Sequence, residues 1–181
     1  DPDDELYLFG CTDEYAEMII RNKAELSKRY FCPCTDMATA SRLVTKEYFY
    51  QMCEKYSLPH PKTYIFRPDS VPGELTESNL GFSYPVIIKP SHSSPYWKHP
   101  FDGMKKVYSA KDSAEAESIT RAIFASGYGE TLIIQDTIPG DDTKMYVLTC
   151  YSGTDGHVKT MCMGHVLLKN TLRKGSETIR L

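Results

Sequence analysis

Ile133-Ile134-Gln135-Asp136-Thr137-Ile138-Pro139-Gly140-Asp141-Asp142 is the stretch on which the reading of this chain turns. With Thr131 and Leu132 before it, its apolar opening reads as a short buried strand. That strand delivers an amide, Gln135, and a carboxylate, Asp136, into a short connection, and two more carboxylates follow. Adenine needs a backbone donor and acceptor between flat apolar walls, and ribose hydroxyls need a carboxylate acceptor. The segment offers both. An ordinary strand ending in a Pro-Gly-Asp turn has the same composition, so the segment alone leaves both readings open.

Upstream, Pro85-Val86-Ile87-Ile88-Lys89-Pro90 reads as a strand. A lysine closing an apolar strand is drawn toward the interior, where an unpaired charge is costly. It either snorkels to water or meets a fixed anion such as a phosphate. Residues 91–102 read as a polar loop bearing prolines and aromatics, and residues 104–109 as a second strand. Asp112 or Ser113 caps a helix whose buried face is Ala116, Ile119 and Ile123, ended by Gly127. Earlier, Thr45 caps a helix with Tyr48, Phe49, Met52, Cys53 and Tyr56 at helical spacing, stopped by Leu58-Pro59-His60-Pro61. Lys46 sits in its first turn. A cation there opposes the helix dipole by about 0.3–1 kcal/mol, which a bound anion would relieve. A solvated surface lysine is the plain alternative.

Further out, Leu6-Tyr7-Leu8-Phe9-Gly10 reads as a short strand, and Thr12 caps a helix with Tyr15, Met18, Ile19 and Leu26 as its apolar stripe. Lys28 and Arg29 lie near its end, and an extended segment, residues 30–33, follows. Residues 67–84 read as a connection between two lobes. After the deciding stretch, residues 144–151 and 157–168 form a hairpin around Gly153-Thr154-Asp155-Gly156.

The 181 residues are 41% hydrophobic and 25% charged with net charge −3, which suits a soluble globular protein and gives no sign of a nucleic-acid or membrane surface as partner. No apolar run is long enough to cross a bilayer, and Asp1-Pro2-Asp3-Asp4 reads as an artificial or processed end. The six cysteines are scattered; Cys32-Pro33-Cys34 is the one close pair, with no second pair to complete a zinc set. Reduced thiols acting as small hydrophobes are expected, in keeping with a cytoplasmic protein. The phosphate loop, the dinucleotide fingerprint and the zinc-protease helix are all missing from the sequence.

The order of the pieces is more specific than any one of them. Phe9-Gly10-Cys11-Thr12-Asp13-Glu14-Tyr15, Thr45-Lys46-Glu47-Tyr48-Phe49-Tyr50, His60-Pro61-Lys62-Thr63, the strand ending in Lys89-Pro90-Ser91, Tyr96-Trp97-Lys98-His99-Pro100-Phe101 and the deciding stretch follow in sequence. That order, over roughly residues 5–168, resembles the ATP-grasp superfamily. Within it, the order is similar to a carboxylate–amine ligase branch of D-aspartate ligase-like and carbamoyl-phosphate synthase large-chain-like proteins.

The resemblance implies an α+β chain with two small α/β lobes, mainly antiparallel sheets, and ATP between them. It divides the chain into a remnant of a preceding α/β domain (1–34), a linker helix and A lobe (35–83), a B lobe (84–139) and the start of a C-terminal lobe (140–181). Lys46 and Lys89 would meet the phosphates. Gln135 would stand where the family usually has a glutamate reading the adenine amino group. Asp136 and Thr137 would offer backbone to adenine, Ile138 an apolar wall, and Asp142 the ribose carboxylate. Residues 91–102 would close as a lid, with Lys105 and Lys106 assisting it or forming a solvated strand edge. The family's magnesium-binding acids and its transition-state arginine lie later and do not align with residues 169–181, so no catalytic or metal residue is assigned. The implied reaction joins a small carboxylate to an amine with ATP and Mg2+, the chain itself binding ATP or ADP weakly and turning over nothing. The oligomeric state stays open. A non-catalytic nucleotide-binding or interaction domain, a cell-envelope domain and a metal or thiol protein using Cys32 and Cys34 are the competing readings.

Overall fold

Period-two alternation in two short strands organises the larger of two units, Asp1–Asp136; the smaller is Thr137–Leu181. The computed structural model describes residues 5–71, 73–169 and 177–180, and for residues 142, 167–169 and 177–180 it describes the backbone alone. In the first unit the order is β1 (Leu6–Tyr7), α1 (Asp13–Arg21), α2 (Lys23–Leu26), β2 (Tyr30–Phe31), α3 (Met37–Val44) and α4 (Lys46–Lys55). Then come β3 (Thr63–Phe66), α5 (Glu77–Leu80), β4 (Val86–Pro90), α6 (Ser93–Trp97), β5 (Tyr108–Ala110), α7 (Ser113–Ala125) and β6 (Leu132–Asp136).

A four-stranded sheet in the order β3-β6-β4-β5 is antiparallel throughout. Successive side chains of a strand point to opposite faces. Val86 and Ile88 of β4, Leu132 and Ile134 of β6, and Phe66 of β3 enter one core, which also takes Ala116 and Ile123 of α7. Each buried aliphatic side chain contributes about 1.5–3 kcal/mol. The opposite face carries Thr63 on β3, Gln135 on β6 and Ile87 and Lys89 on β4. Helix α7 starts where expected: Asp112 is its N-cap, and its Oδ1 accepts from the Glu115 N–H at 2.8 Å. The strands 85–90 and 131–136 are present, trimmed by a residue at the start.

Several local readings need correction. Residues 91–102 are not an open loop: they contain α6, whose Tyr96 is wholly buried. The Tyr96 hydroxyl lies 2.7 Å from both the Lys105 carbonyl and the Tyr108 hydroxyl, and Lys105 N–H donates to Tyr108 at 2.8 Å. Those bonds hold residues 104–107 in an irregular, bent path, so the expected strand 104–109 is replaced by the short β5. Residues 67–84 are more than a connection, since Leu75, Leu80 and Phe82 join the core and α5 forms there, capped by Thr76. The expected long helix after Thr12 breaks at Asn22, whose side-chain amide donates to the Met18 carbonyl at 2.8 Å. Of its apolar stripe only Ile19 is buried; Tyr15 and Met18 are exposed. Likewise α4 buries Cys53 but leaves Tyr48, Phe49 and Tyr56 exposed, and Thr45 makes no side-chain cap bond. Helix α3 and strand β3 were not anticipated. Strands β1 and β2 pair in parallel, Leu6 opposite Tyr30.

The second unit opens with a single 3-10 turn at Asp142–Lys144 and continues as β7 (Tyr146–Ser152), β8 (Val158–Lys169) and β9 (Glu177–Arg180). Strands β7 and β8 form the expected hairpin, with Tyr146 opposite His165. Its turn is closed by the Gly153 N–H to the His157 carbonyl at 2.9 Å, and Gly156 takes the left-handed φ of 76° that glycine supplies without strain. Residues 170–176 and Leu181, where the alignment was lost, lie outside the described residues, as do residues 1–4. Among the described residues no helix is long and apolar enough to cross a membrane.

Candidate functional site

The non-core face of the four-stranded sheet gathers the first unit's candidate residues. Ile87 pairs with Gln135 and Ile133 with Lys89, so Lys89 and Gln135 are diagonal neighbours on one face. Thr63 stands directly opposite Gln135 on β3. Helix α4 reaches this face through Tyr50. The Lys89 Nζ donates to the Tyr50 hydroxyl at 2.9 Å and lies 5.3 Å from the centre of its ring. Tyr50 in turn donates to Gln135 Oε1 at 3.2 Å, and Gln135 Nε2 donates to Thr63 Oγ1 at 2.7 Å. Thr63 Oγ1 donates to the Pro61 carbonyl at 2.8 Å. Gln135 is only 3% exposed, so both polar ends of its amide need these partners.

Lys46 enters from the start of α4. Its backbone N–H donates to the Ser91 carbonyl at 3.2 Å, fastening the helix to the end of β4. Among the described residues its ammonium makes long contacts, 3.4 Å to Ser93 Oγ and 3.5 Å to the Ser91 carbonyl. Burial holds the Lys46 pKa below its usual 10.5, and the positive charges of Lys89 and Lys106 push it the same way, with the Asp13 carboxylate a smaller opposing influence. Like charges brought together in a partly desolvated place are unfavourable without an anion. The nearest acid on the helix, Glu47, is already engaged: one oxygen takes Arg67 Nη2 at 2.7 Å and the other the Thr131 hydroxyl at 3.0 Å.

The structure therefore brings Lys89 and Gln135 together through Tyr50 in the first unit, with Lys46 one turn before Tyr50 on the same helix. Asp136 closes β6, with its backbone N–H donating to the Lys62 carbonyl at 3.0 Å. Thr137, Ile138 and Asp142 belong to the second unit, where Ile138 is 70% exposed and Asp142 begins the 3-10 turn. Tyr50 and Thr63 were missed as site residues. Tyr50 had a signal, since it follows Lys46 by one helical turn on the same face. Ammonium groups and a held amide are binding groups, suited to a polyanion attached to a hydrogen-bonding ring.

The thiols take no part. The described cysteines are free, and among the described residues no group of three or more His, Cys, Asp or Glu side chains converges as a metal site would.

No protein-family model matches the sequence. The chain is 41% identical over 163 residues to a D-aspartate ligase of Enterococcus faecium (strain Aus0004), covering 90% of this chain and 39% of the relative. It thus spans well under half of that relative's length. Among solved structures, the D-alanine–D-alanine ligase from Coxiella burnetii matches with a TM-score of 0.60 and 12% identity, over 85% of this chain and 42% of that one. An N5-carboxyaminoimidazole ribonucleotide synthetase solved with ADP matches with a TM-score of 0.57 and 14% identity, over 88% and 37%. At such identities the structural likeness speaks for the fold.

Proposed function

We propose that the chain belongs to the ATP-grasp superfamily and is the nucleotide-holding portion of an ATP-dependent carboxylate–amine ligase. One observation supports this reading: Lys46 and Lys89, distant in sequence, are both tied to helix α4 beside the end of β4, and among the described residues no carboxylate lies within hydrogen-bond length of the Lys46 ammonium. A polyphosphate supplies the missing charge. Lys46 and Lys89 take the phosphates, and Gln135 reads the adenine amino group. By the family resemblance, Asp136 and Thr137 would lend backbone to the base, Ile138 an apolar wall and Asp142 the ribose carboxylate.

In the whole ligase the substrate carboxylate attacks the γ-phosphorus of ATP, giving an acyl phosphate and ADP. The amine then attacks the acyl carbon and phosphate leaves, forming the C–N bond. This chain's lysines serve by neutralising and fixing the phosphates. Magnesium, which the family reading implies, would offset further phosphate charge when bound, held by side chains other than those described. The substrates are a small carboxylate and an amine, and the setting is the cytoplasm.

Calorimetric titration with Mg-ATP tests the reading. ATP is expected to bind, and Lys89→Ala to weaken it at least tenfold, as loss of a charge-assisted phosphate contact does. Equal ATP affinity in the wild type and Lys89→Ala would remove the basis for the reading.

A further inference from the structure

We propose that Tyr50 is a positioning residue of this site, holding the Lys89 ammonium ready for phosphate; the proposal rests on the nucleotide reading above. An ammonium has donors only, and a phenol has a single hydrogen. Since Lys89 donates to the Tyr50 oxygen, the phenolic hydrogen must go elsewhere, and it goes to Gln135 Oε1. The amide nitrogen then faces Thr63, whose own hydrogen goes to the Pro61 carbonyl. Every link points the same way, from a fixed positive charge to a backbone carbonyl. Reversing any one of them would set donor against donor.

This relay ties a flexible four-carbon side chain to α4, β6 and β3 at once. Lysine stems are otherwise free to sample many rotamers, and ordering them at the moment of binding lowers affinity. Here that ordering is complete before a ligand arrives. The same helix that presents Lys46 also carries the residue that aims Lys89, so α4 sets both cations together.

The ring of Tyr50 also packs edge-on against Phe49, with centroids 5.4 Å apart, and lies 5.9 Å from the His60 ring. Tyr50→Phe keeps that packing and removes only the pivot of the relay. Thr63 still holds Gln135 Nε2, while Oε1 loses the Tyr50 donor and is left to accept from the adenine amino group, so adenosine binding is not weakened.

The test is a double-mutant cycle of Tyr50→Phe and Lys89→Ala, titrated by calorimetry with ATP and, separately, with adenosine. Tyr50→Phe is expected to weaken ATP about five- to tenfold, as loss of one such bond does, and adenosine less than about twofold. In the Lys89→Ala background it is expected to change ATP affinity less than about twofold. Three outcomes overturn the proposal: unchanged ATP affinity in Tyr50→Phe, equal weakening of ATP and adenosine, or the full effect persisting without Lys89. If Lys89→Ala weakens ATP while Tyr50→Phe does not, the proposal fails and the nucleotide reading stands. If Lys89→Ala binds ATP as the wild type does, both fail.

Discussion

Replacing Lys46 by Met should move stability and nucleotide affinity in opposite directions. In the ligand-free chain the ammonium gains little, because its contacts at 3.4 and 3.5 Å are at the limit of a hydrogen bond. Such bonds contribute at most about 0.5–1 kcal/mol. Against them stand burial and the charges of Lys89 and Lys106, which disfavour the protonated form more than the Asp13 carboxylate favours it. The helix dipole adds an opposing term of about 0.3–1 kcal/mol at this first-turn position. Methionine keeps most of the unbranched stem and drops the charge. The unfolding free energy is therefore expected to stay constant or rise by up to about 1 kcal/mol. ATP binding should weaken by about 1.5–3 kcal/mol, a tenfold to hundredfold rise in Kd, since a charge-assisted phosphate contact is lost. Urea denaturation and Mg-ATP calorimetry on the two proteins supply both numbers. A Lys46→Met protein that loses more than about 1 kcal/mol of stability while binding ATP normally would show that Lys46 serves the fold, and the argument from its strained charge would be wrong.

The depressed Lys46 pKa also sets a pH signature. The unfolded chain holds this proton up to 10.5 while the folded chain releases it earlier, so stability should rise with pH across that window. The same window should show proton uptake on ATP binding, seen as a calorimetric enthalpy that depends on the buffer, and both effects should vanish in Lys46→Met. Tyr96→Ala empties a wholly buried site and breaks two hydroxyl contacts, so it should cost about 3–5 kcal/mol by chemical denaturation. A cost below about 1 kcal/mol would mean that residues 91–102 are a free lid after all. Asp112→Ala removes the cap of α7 and should cost about 1 kcal/mol, largely restored in Asp112→Asn, as thermal unfolding would report.

What could be read from the residues was what short-range physics decides. Strands β4 and β6 stand out because aliphatic runs in a polar chain have few alternatives to burial, and α7 because Asp112 and the spacing of Ala116 and Ile123 agree. The hairpin follows from its glycine-bounded turn. The stripes on α1 and α4 were visible, but periodicity identifies an apolar face and not what covers it, so Tyr15, Tyr48 and Phe49 were assigned to a core they do not enter. Helix α3, with no buried residue, leaves little pattern to find. Strand β3 is four residues long and follows a proline-rich stop, yet it supplies Thr63 to the site. Lys46, Lys89 and Gln135 could each be picked out as residues costly to place without a partner. Tyr50 shares a helix face with Lys46, but its partners lie 39 and 85 positions away and no local pattern names them.

Strand β6 also explains why its alignment must be held so tightly. Ile134 faces the oily side and Gln135 the hydrogen-bonded side. A slip of one residue would drive the amide in among Val86, Ile88 and Phe66 and turn an isoleucine toward Tyr50 and Thr63. Both sides of the sheet would object at once, one through an orphaned amide and the other through stranded hydroxyls. A strand with different demands on its two sides therefore proofreads its own pairing, and the proposed nucleotide grip shares in the folding specificity of the domain that carries it.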